Sequence, residues 1–193
     1  MKISKKKAVF LDRDGVINRK LSEHDYVKKW SEFIFLPNVA EAIKKLNKNF
    51  LVIIVSNQRG IARGIMSKED VEVINMRMKK ELEKRNARID GIYFCPHDDK
   101  DNCNCRKPKP GMLLKAAQDF KIDLKKSYII GDDFADVEAG KRAGCETILV
   151  SNSKNTFSQK IRAKKSRPDY IVSNLLEATK IIKLVKQYNV FSF

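Results

Sequence analysis

Apolar residues along this chain fall into short unbroken runs separated by stretches of helical spacing. The runs occupy positions 8–11, 50–55, 91–95, 128–130, 147–150 and 170–172. Runs of that length without polar alternation predict strands buried on both faces. Between them, Val39, Ile43 and Leu46 recur at helical spacing after Pro37-Asn38, predicting a helix through Asn47. Ser67 with Asp70 three residues on is an N-cap signal for a helix to about Arg88. Pro110-Gly111-Met112 opens a helix to about Phe120, another follows Asp133 to Arg142, and a last one covers 175–187. Strand and helix alternate with short connections, which predicts an α/β fold: a three-layer, Rossmann-like parallel sheet with helices on both faces. Residues 18–36 are polar and aromatic without a clear period. Residues 151–168 are polar and basic and read as a mobile surface stretch.

Length and composition narrow the classes. A chain of 193 residues buries a full core, and one domain over 1–193 is expected. Charged residues at 33% and apolar ones at 42% are ordinary for a soluble globule. No apolar run approaches membrane-spanning length, and MKISKKKAVF lacks the apolar core of a signal peptide. A cytoplasmic location without a membrane partner is therefore expected. The formal charge of +16 raises a different class, a nucleic-acid-binding or nucleic-acid end-processing protein. The lysines are scattered between apolar helix positions, which suits solvated helix faces better than one binding groove.

The chemistry collects just after the predicted strands. Asp12 and Asp14 follow the first, Ser56-Asn57 the second, Cys95 to Lys107 the third, and Asp132, Asp133 and Asp136 the fourth. In open parallel sheets that edge is where ligands bind. Asp12, Asp14 and Asp132 supply hard oxygens suited to Mg²⁺. Ser56 offers hydrogen bonds and Lys107 a cation to the same anionic oxygens, a set suited to phosphoryl transfer. Cys95-Pro96-His97 and Cys103-Asn104-Cys105 bring three thiolates and one imidazole into eleven residues, the donor set of a tetrahedral structural zinc. With four protein ligands, such a zinc would shape a loop over about 95–109 and leave no open position for water. Cys145 reads as a buried small residue.

DRDG at 12–15, Ser56 at the end of its apolar run, Lys107, and GDDFAD at 131–136 together resemble the four motifs of the haloacid dehalogenase-like (HAD) phosphatases. The resemblance implies a Mg²⁺-dependent phosphomonoesterase with an aspartyl-phosphate intermediate. Asp12 would be the nucleophile, and Asp14 would protonate the leaving alcohol and then activate water. Mg²⁺ would be held by Asp12, the Asp14 main-chain carbonyl and Asp132, with Asp133 a further candidate. Ser56 and Lys107 would hold the transferring group. Either Asp133 or Asp136 would orient Lys107 or a metal-bound water.

Within that family, CxH…CxCRKP resembles the D-glycero-D-manno-heptose-1,7-bisphosphate 7-phosphatases and the related histidinol-phosphate phosphatases. NQRGIARG (57–64), GIYFCPH (91–97) and CRKPKPGML (105–113) are especially similar to the heptose enzymes, while the five-residue spacer between His97 and Cys103 is closer to the histidinol enzymes. The substrate implied is a small phosphorylated metabolite. Arg106 would contact its distal phosphate, a role that suits a forked guanidinium beside the ammonium of Lys107. His24, Asp25 and Tyr26, with Ser56, Asn57, Gln58 and Arg59, would line the substrate site. Neither the stretch between Asp14 and the helix–strand unit leading to Ser56, nor the link from the third strand to the zinc loop, can hold a separate cap domain. An open site walled by the zinc-stapled loop, in a monomer, is expected.

Overall fold

In a computed structural model of the chain, which describes residues 5–22, 25–151 and 166–188, the six apolar runs pair into one parallel sheet. The strands are β1 (Ala8–Leu11), β2 (Leu51–Asn57), β3 (Gly91–Cys95), β4 (Tyr128–Gly131), β5 (Glu146–Val150) and β6 (Tyr170–Val172), in the order β3-β2-β1-β4-β5-β6. The helices are α1 (Val39–Leu46), α2 (Lys68–Glu83), α3 (Gly111–Phe120), α4 (Phe134–Ala143) and α5 (Leu175–Tyr188). His24 and residues 152–165, most of the predicted mobile stretch, lie outside the described residues.

Side chains of β1 alternate between two cores because successive residues of a strand point to opposite faces. Val9 and Leu11 join Ile43 of α1, Met78 of α2 and Ala178 of α5 on one face. Ala8 and Phe10 join Leu113 of α3 and Ala139 of α4 on the other. The sheet is thus buried on both faces, which is why its strands read as continuous apolar runs. Among the described residues between β1 and α1, several pack back onto the sheet. Val16, Ile17, Val27 and Phe33 are buried in the first core, and Trp30 stacks on Phe33 with ring centroids 5.0 Å apart.

Local signals held in some places and shifted in others. The Ser67/Asp70 pair forms a reciprocal capping box, with Asp70 N donating to Ser67 Oγ at 3.0 Å and Ser67 N to Asp70 Oδ2 at 2.8 Å. The same helix ends at Glu83, short of Arg88, because Asn86 turns the chain with φ 58° and sends Ala87 into the core. β2 runs through Ser56 and Asn57, which pair with Phe94 and Cys95 of β3. The sheet therefore carries those two polar residues as strand, where the sequence pattern placed a loop. Among the described residues no helix is long and apolar enough to cross a membrane.

Candidate active site

From β1 the chain moves outward to β2 and β3, then returns to the far side of β1 for β4. The connections that leave the carboxyl ends of β1 and β4 lead to opposite sides of the sheet, which opens a crevice at this switch point. Asp12 and Asp132 stand on its two sides. The ladder continues one step past β1, with Asp12 N donating to Ile130 O at 2.9 Å, so the Asp12 backbone is fixed by the sheet. Gly15 follows with φ +102°, and a Cβ there would lie 2.5 Å from the Asp132 carboxyl carbon. Glycine is what lets that carboxylate close over the first motif. Gly131 does the same for Asp136, whose carboxyl carbon would sit 2.1 Å from an added Cβ.

Lys107 is the centre of the cluster. Its Nζ donates to Asp12 Oδ1 at 2.7 Å, Asp136 Oδ1 at 2.5 Å and the Val55 carbonyl at 2.8 Å, which uses all three protons. Asn57 clamps the Lys107 backbone from both sides, accepting from its N at 3.1 Å and donating to its carbonyl at 3.0 Å. Burial would lower the Lys107 pKa, but Asp12 and Asp136 outweigh it and keep the ammonium charged. Burial pushes Asp12 up to about 6 in spite of Lys107. Burial, with Asp12 close by, likewise pushes Asp132 up to about 6.

Asp14 lives in a separate network. It accepts from Arg13 Nη2 at 3.0 Å, Asn18 Nδ2 at 2.8 Å and Gln58 Nε2 at 2.9 Å. Burial would raise its carboxyl, but Arg13, Asn18 and Gln58 outweigh burial and hold it below the usual range. Arg13 is itself buried, with Nη1 on Asn75 Oδ1 of α2 at 3.2 Å. Gln58 also donates to Ser56 Oγ at 2.8 Å through the same amide, tying the ends of β1 and β2 together. The Asp14 carboxylate is held by this network and lines the same cavity, but it is not one of the three carboxylates, Asp12, Asp132 and Asp136, whose oxygens gather within 4.8 Å.

Asp133 and Asp136 have different partners. Asp133 is the N-cap of α4 and accepts from Ala135 N at 2.9 Å. Asp136, buried, takes the Lys107 ammonium. Asp12, Asp132 and Asp136 bring carboxylate oxygens within 4.8 Å of one another. Three carboxylates here face two ammonium groups, Lys107 and Lys20. Lys20 Nζ lies 2.6 Å from Asp132 Oδ2, a cation of the chain's own beside a negatively charged oxygen cluster. The hard donors, the excess negative charge and that stand-in cation all fit a divalent ion.

The four predicted sulfur and imidazole donors also meet within 4.8 Å. Cys95 Sγ lies 3.5 Å from Cys103 Sγ and 3.0 Å from Cys105 Sγ, and His97 Nδ1 is 3.3 Å from Cys105 Sγ. A tetrahedral zinc with bonds near 2.3 Å sets its sulfurs about 3.8 Å apart, so the cage is assembled at close to the right size. Burial pushes the Cys95 thiol up, so a cation is needed to hold it as thiolate. Arg106 and Lys107 follow Cys105 directly, so the cage sets their position.

One open cavity of about 630 Å³ collects most of the sequence-predicted residues: Asp12, Asp14, Asp25, Tyr26, Ser56 to Arg59, Arg106, Lys107, Asp132, Asp133 and Asp136. Within it Asn57 and Gln58 are spent on Lys107, Asp14 and Ser56, which makes them supports of the site. Lys20, Arg13, Asn18 and Asp99 were not singled out from the sequence. Lys20 is one of 40 basic residues, and only folding sets it apart. Arg13 carried a faint signal, a cation between two carboxylates.

Comparison with known proteins follows the same line. The HAD-hydrolase-like family matches residues 104–178. The chain is 37% identical over 189 residues to D-glycero-beta-D-manno-heptose-1,7-bisphosphate 7-phosphatase of Pasteurella multocida, covering 94% of this chain and 99% of that one. It is 44% identical over 149 residues to D-glycero-alpha-D-manno-heptose-1,7-bisphosphate 7-phosphatase of Campylobacter jejuni, covering 77% and 84%. Among solved structures, D,D-heptose 1,7-bisphosphate phosphatase from B. bronchiseptica, complexed with magnesium and phosphate, superposes with a TM-score of 0.82 at 31% identity, covering 94% and 99%.

Proposed function

The chain belongs to the haloacid dehalogenase-like (HAD) phosphatases, and on that premise we propose that it removes the 7-phosphate of D-glycero-D-manno-heptose 1,7-bisphosphate as a single HAD-like domain. The observation that carries this reading is the Lys107 ammonium held between Asp12 and Asp136 beside Ser56, at the mouth of β1, in a chain of which 94% is matched by a heptose-bisphosphate phosphatase. The heptose relatives favour that sugar over histidinol phosphate, and since both anomers are represented among them, α and β forms are to be tested separately.

In the proposed mechanism the Asp12 carboxylate attacks phosphorus, forming an aspartyl-phosphate as the phosphorus–alkoxide bond breaks. Lys107 and the Ser56 hydroxyl hold the transferring oxygens, and a phosphoryl oxygen replaces one of the three acceptors of Lys107. Asp14 gives its proton to the departing sugar oxygen, then takes one from the water that attacks the phospho-aspartate. Its clamp by Arg13, Asn18 and Gln58 holds the ionised state needed for that second step. The proton given up in the first is taken from solvent water as the anionic substrate docks beside Asp14, because a neighbouring negative charge favours the neutral carboxyl. Asp12, Asp132 and the Asp14 carbonyl would hold Mg²⁺, which HAD phosphatases use. When bound, Mg²⁺ neutralises charge on the phosphoryl oxygens.

Rates on a substrate panel test the assignment. kcat/KM for the heptose bisphosphate should exceed that for histidinol phosphate by at least about 100-fold, as expected of a site built around a second phosphate. Equal and feeble rates on both would remove the sugar from the account. Zinc in the Cys95, His97, Cys103 and Cys105 cage would hold Arg106 and Lys107 in place. Cys103→Ser should then cost one zinc per chain by elemental analysis, lower Tm, and raise KM through the displaced Arg106. A zinc-free variant with wild-type Tm and KM would contradict that role.

A further inference from the structure

On the wall of the cavity that holds Asp12, two guanidinium groups converge on one carboxylate. Arg106 Nε lies 2.6 Å from Asp99 Oδ1, and Arg59 Nη1 lies 3.7 Å from Asp99 Oδ2. All three residues line the cavity that contains Asp12 and Lys107. The other partners of these arginines are neutral oxygens: the Tyr26 hydroxyl, 3.0 Å from Arg59 Nε, and the His97 carbonyl, 3.4 Å from Arg106 Nη1. Among the described residues, Asp99 is the only carboxylate paired with either guanidinium.

The adjacent Asp98 is a different kind of group. It is buried, accepts from Arg63 Nε at 2.6 Å and from Asp99 N at 2.7 Å, and closes a capping box on the 3₁₀ turn of residues 99–101. That carboxylate is part of the loop's framework. Asp99 is not: its side chain is 71% exposed, and among the described residues only the two arginines hold its oxygens. An exposed carboxylate pair of this kind is weak. A phosphate dianion offers two charges and three oxygens to two preset forks, and outcompetes it.

We propose that Asp99 is an exchangeable counter-ion that sits where a sugar's second phosphate binds and is displaced from Arg59 and Arg106 by that phosphate. This rests on the reading of the site as a sugar-bisphosphate phosphatase. Asp99 keeps two cations paired in the empty site and sets a threshold that weaker anions do not cross. Selectivity for a bisphosphate then comes from competition as well as from attraction.

Steady-state kinetics on Asp99→Asn and Asp99→Ala test this, with the heptose 1,7-bisphosphate and the same sugar lacking the 1-phosphate as probes, and Tm as a check on folding. Both variants should lower KM for the bisphosphate about 3- to 10-fold, the scale of losing one competing rim charge. KM for the 7-phosphate should move less. A raised KM for the bisphosphate, or an unchanged ratio of the two KM values in both variants, overturns the proposal and leaves Asp99 as a group that merely orients the arginines. Arg106→Ala separates the two levels: it should raise KM for the bisphosphate more than for the 7-phosphate. If it raises both equally, the bisphosphate reading itself fails.

Discussion

Asp12→Asn is expected to lower kcat by at least about 10⁴-fold, since an amide oxygen cannot serve as the attacking nucleophile. The same substitution should leave the metal-free protein as stable as wild type or more so. Burial raises Asp12 from 3.8 to about 6. A carboxyl raised in this way contributes stability below its unfolded pKa of 3.8 and loses it as pH rises through about 6. At pH 7.5 the ionised group is therefore a burden on the fold, and the neutral amide removes it while Lys107 keeps Asp136. Rates and thermal melts in chelator at pH 7.5 check both halves. Turnover within about 100-fold of wild type would dismiss Asp12 as nucleophile. A large fall in Tm would make it a structural residue.

Lys107→Met should behave differently, losing activity and stability together. The ammonium is buried with Asp12 at 2.7 Å and Asp136 at 2.5 Å. Methionine fills a similar volume but leaves two buried carboxylates without a cation, a loss that costs roughly 3 kcal/mol or more. For a chain of this size that is about 6 to 12 °C in Tm. Turnover should fall as well, because the cation that holds the transferring oxygens is gone. Thermal melts at pH 7.5, above the Asp12 value of about 6, give the clearest reading. A variant with wild-type Tm would mean that Asp12 and Asp136 do not depend on Lys107. Side by side, the two substitutions separate a residue that the fold tolerates for its chemistry from one that holds the cluster together.

Much of this arrangement was legible in the sequence because the carriers of chemistry sit where apolar runs stop. The run at 8–11 ends at Asp12, and the run at 128–130 ends at Gly131-Asp132, so strand prediction also placed the carboxylates. The cluster of Cys95, His97, Cys103 and Cys105 was legible because thiols so close in sequence have few uses other than holding a metal. What failed was whatever depended on partners distant in the chain. Asp133 and Asp136 are alike as letters, and only α4 turns one into its cap and the other toward Lys107, 29 positions away. Arg13 buries its guanidinium against Asn75, 62 positions on, and in doing so keeps Asp14 ionised. Lys20 reaches across the crevice to Asp132, 112 positions on. The left-handed turn at Asn86 that ends α2 gave no sign beyond one asparagine among charged residues.

The central claim is that a phosphoryl group passes through Asp12. Wild-type protein mixed rapidly with the heptose bisphosphate and Mg²⁺, quenched in acid and digested, should yield the peptide containing Asp12 carrying one phosphoryl group, and the Asp12→Asn protein should yield none. Turnover of the bisphosphate with no phosphoryl group ever found on that peptide, or with the group on another residue, would contradict the account.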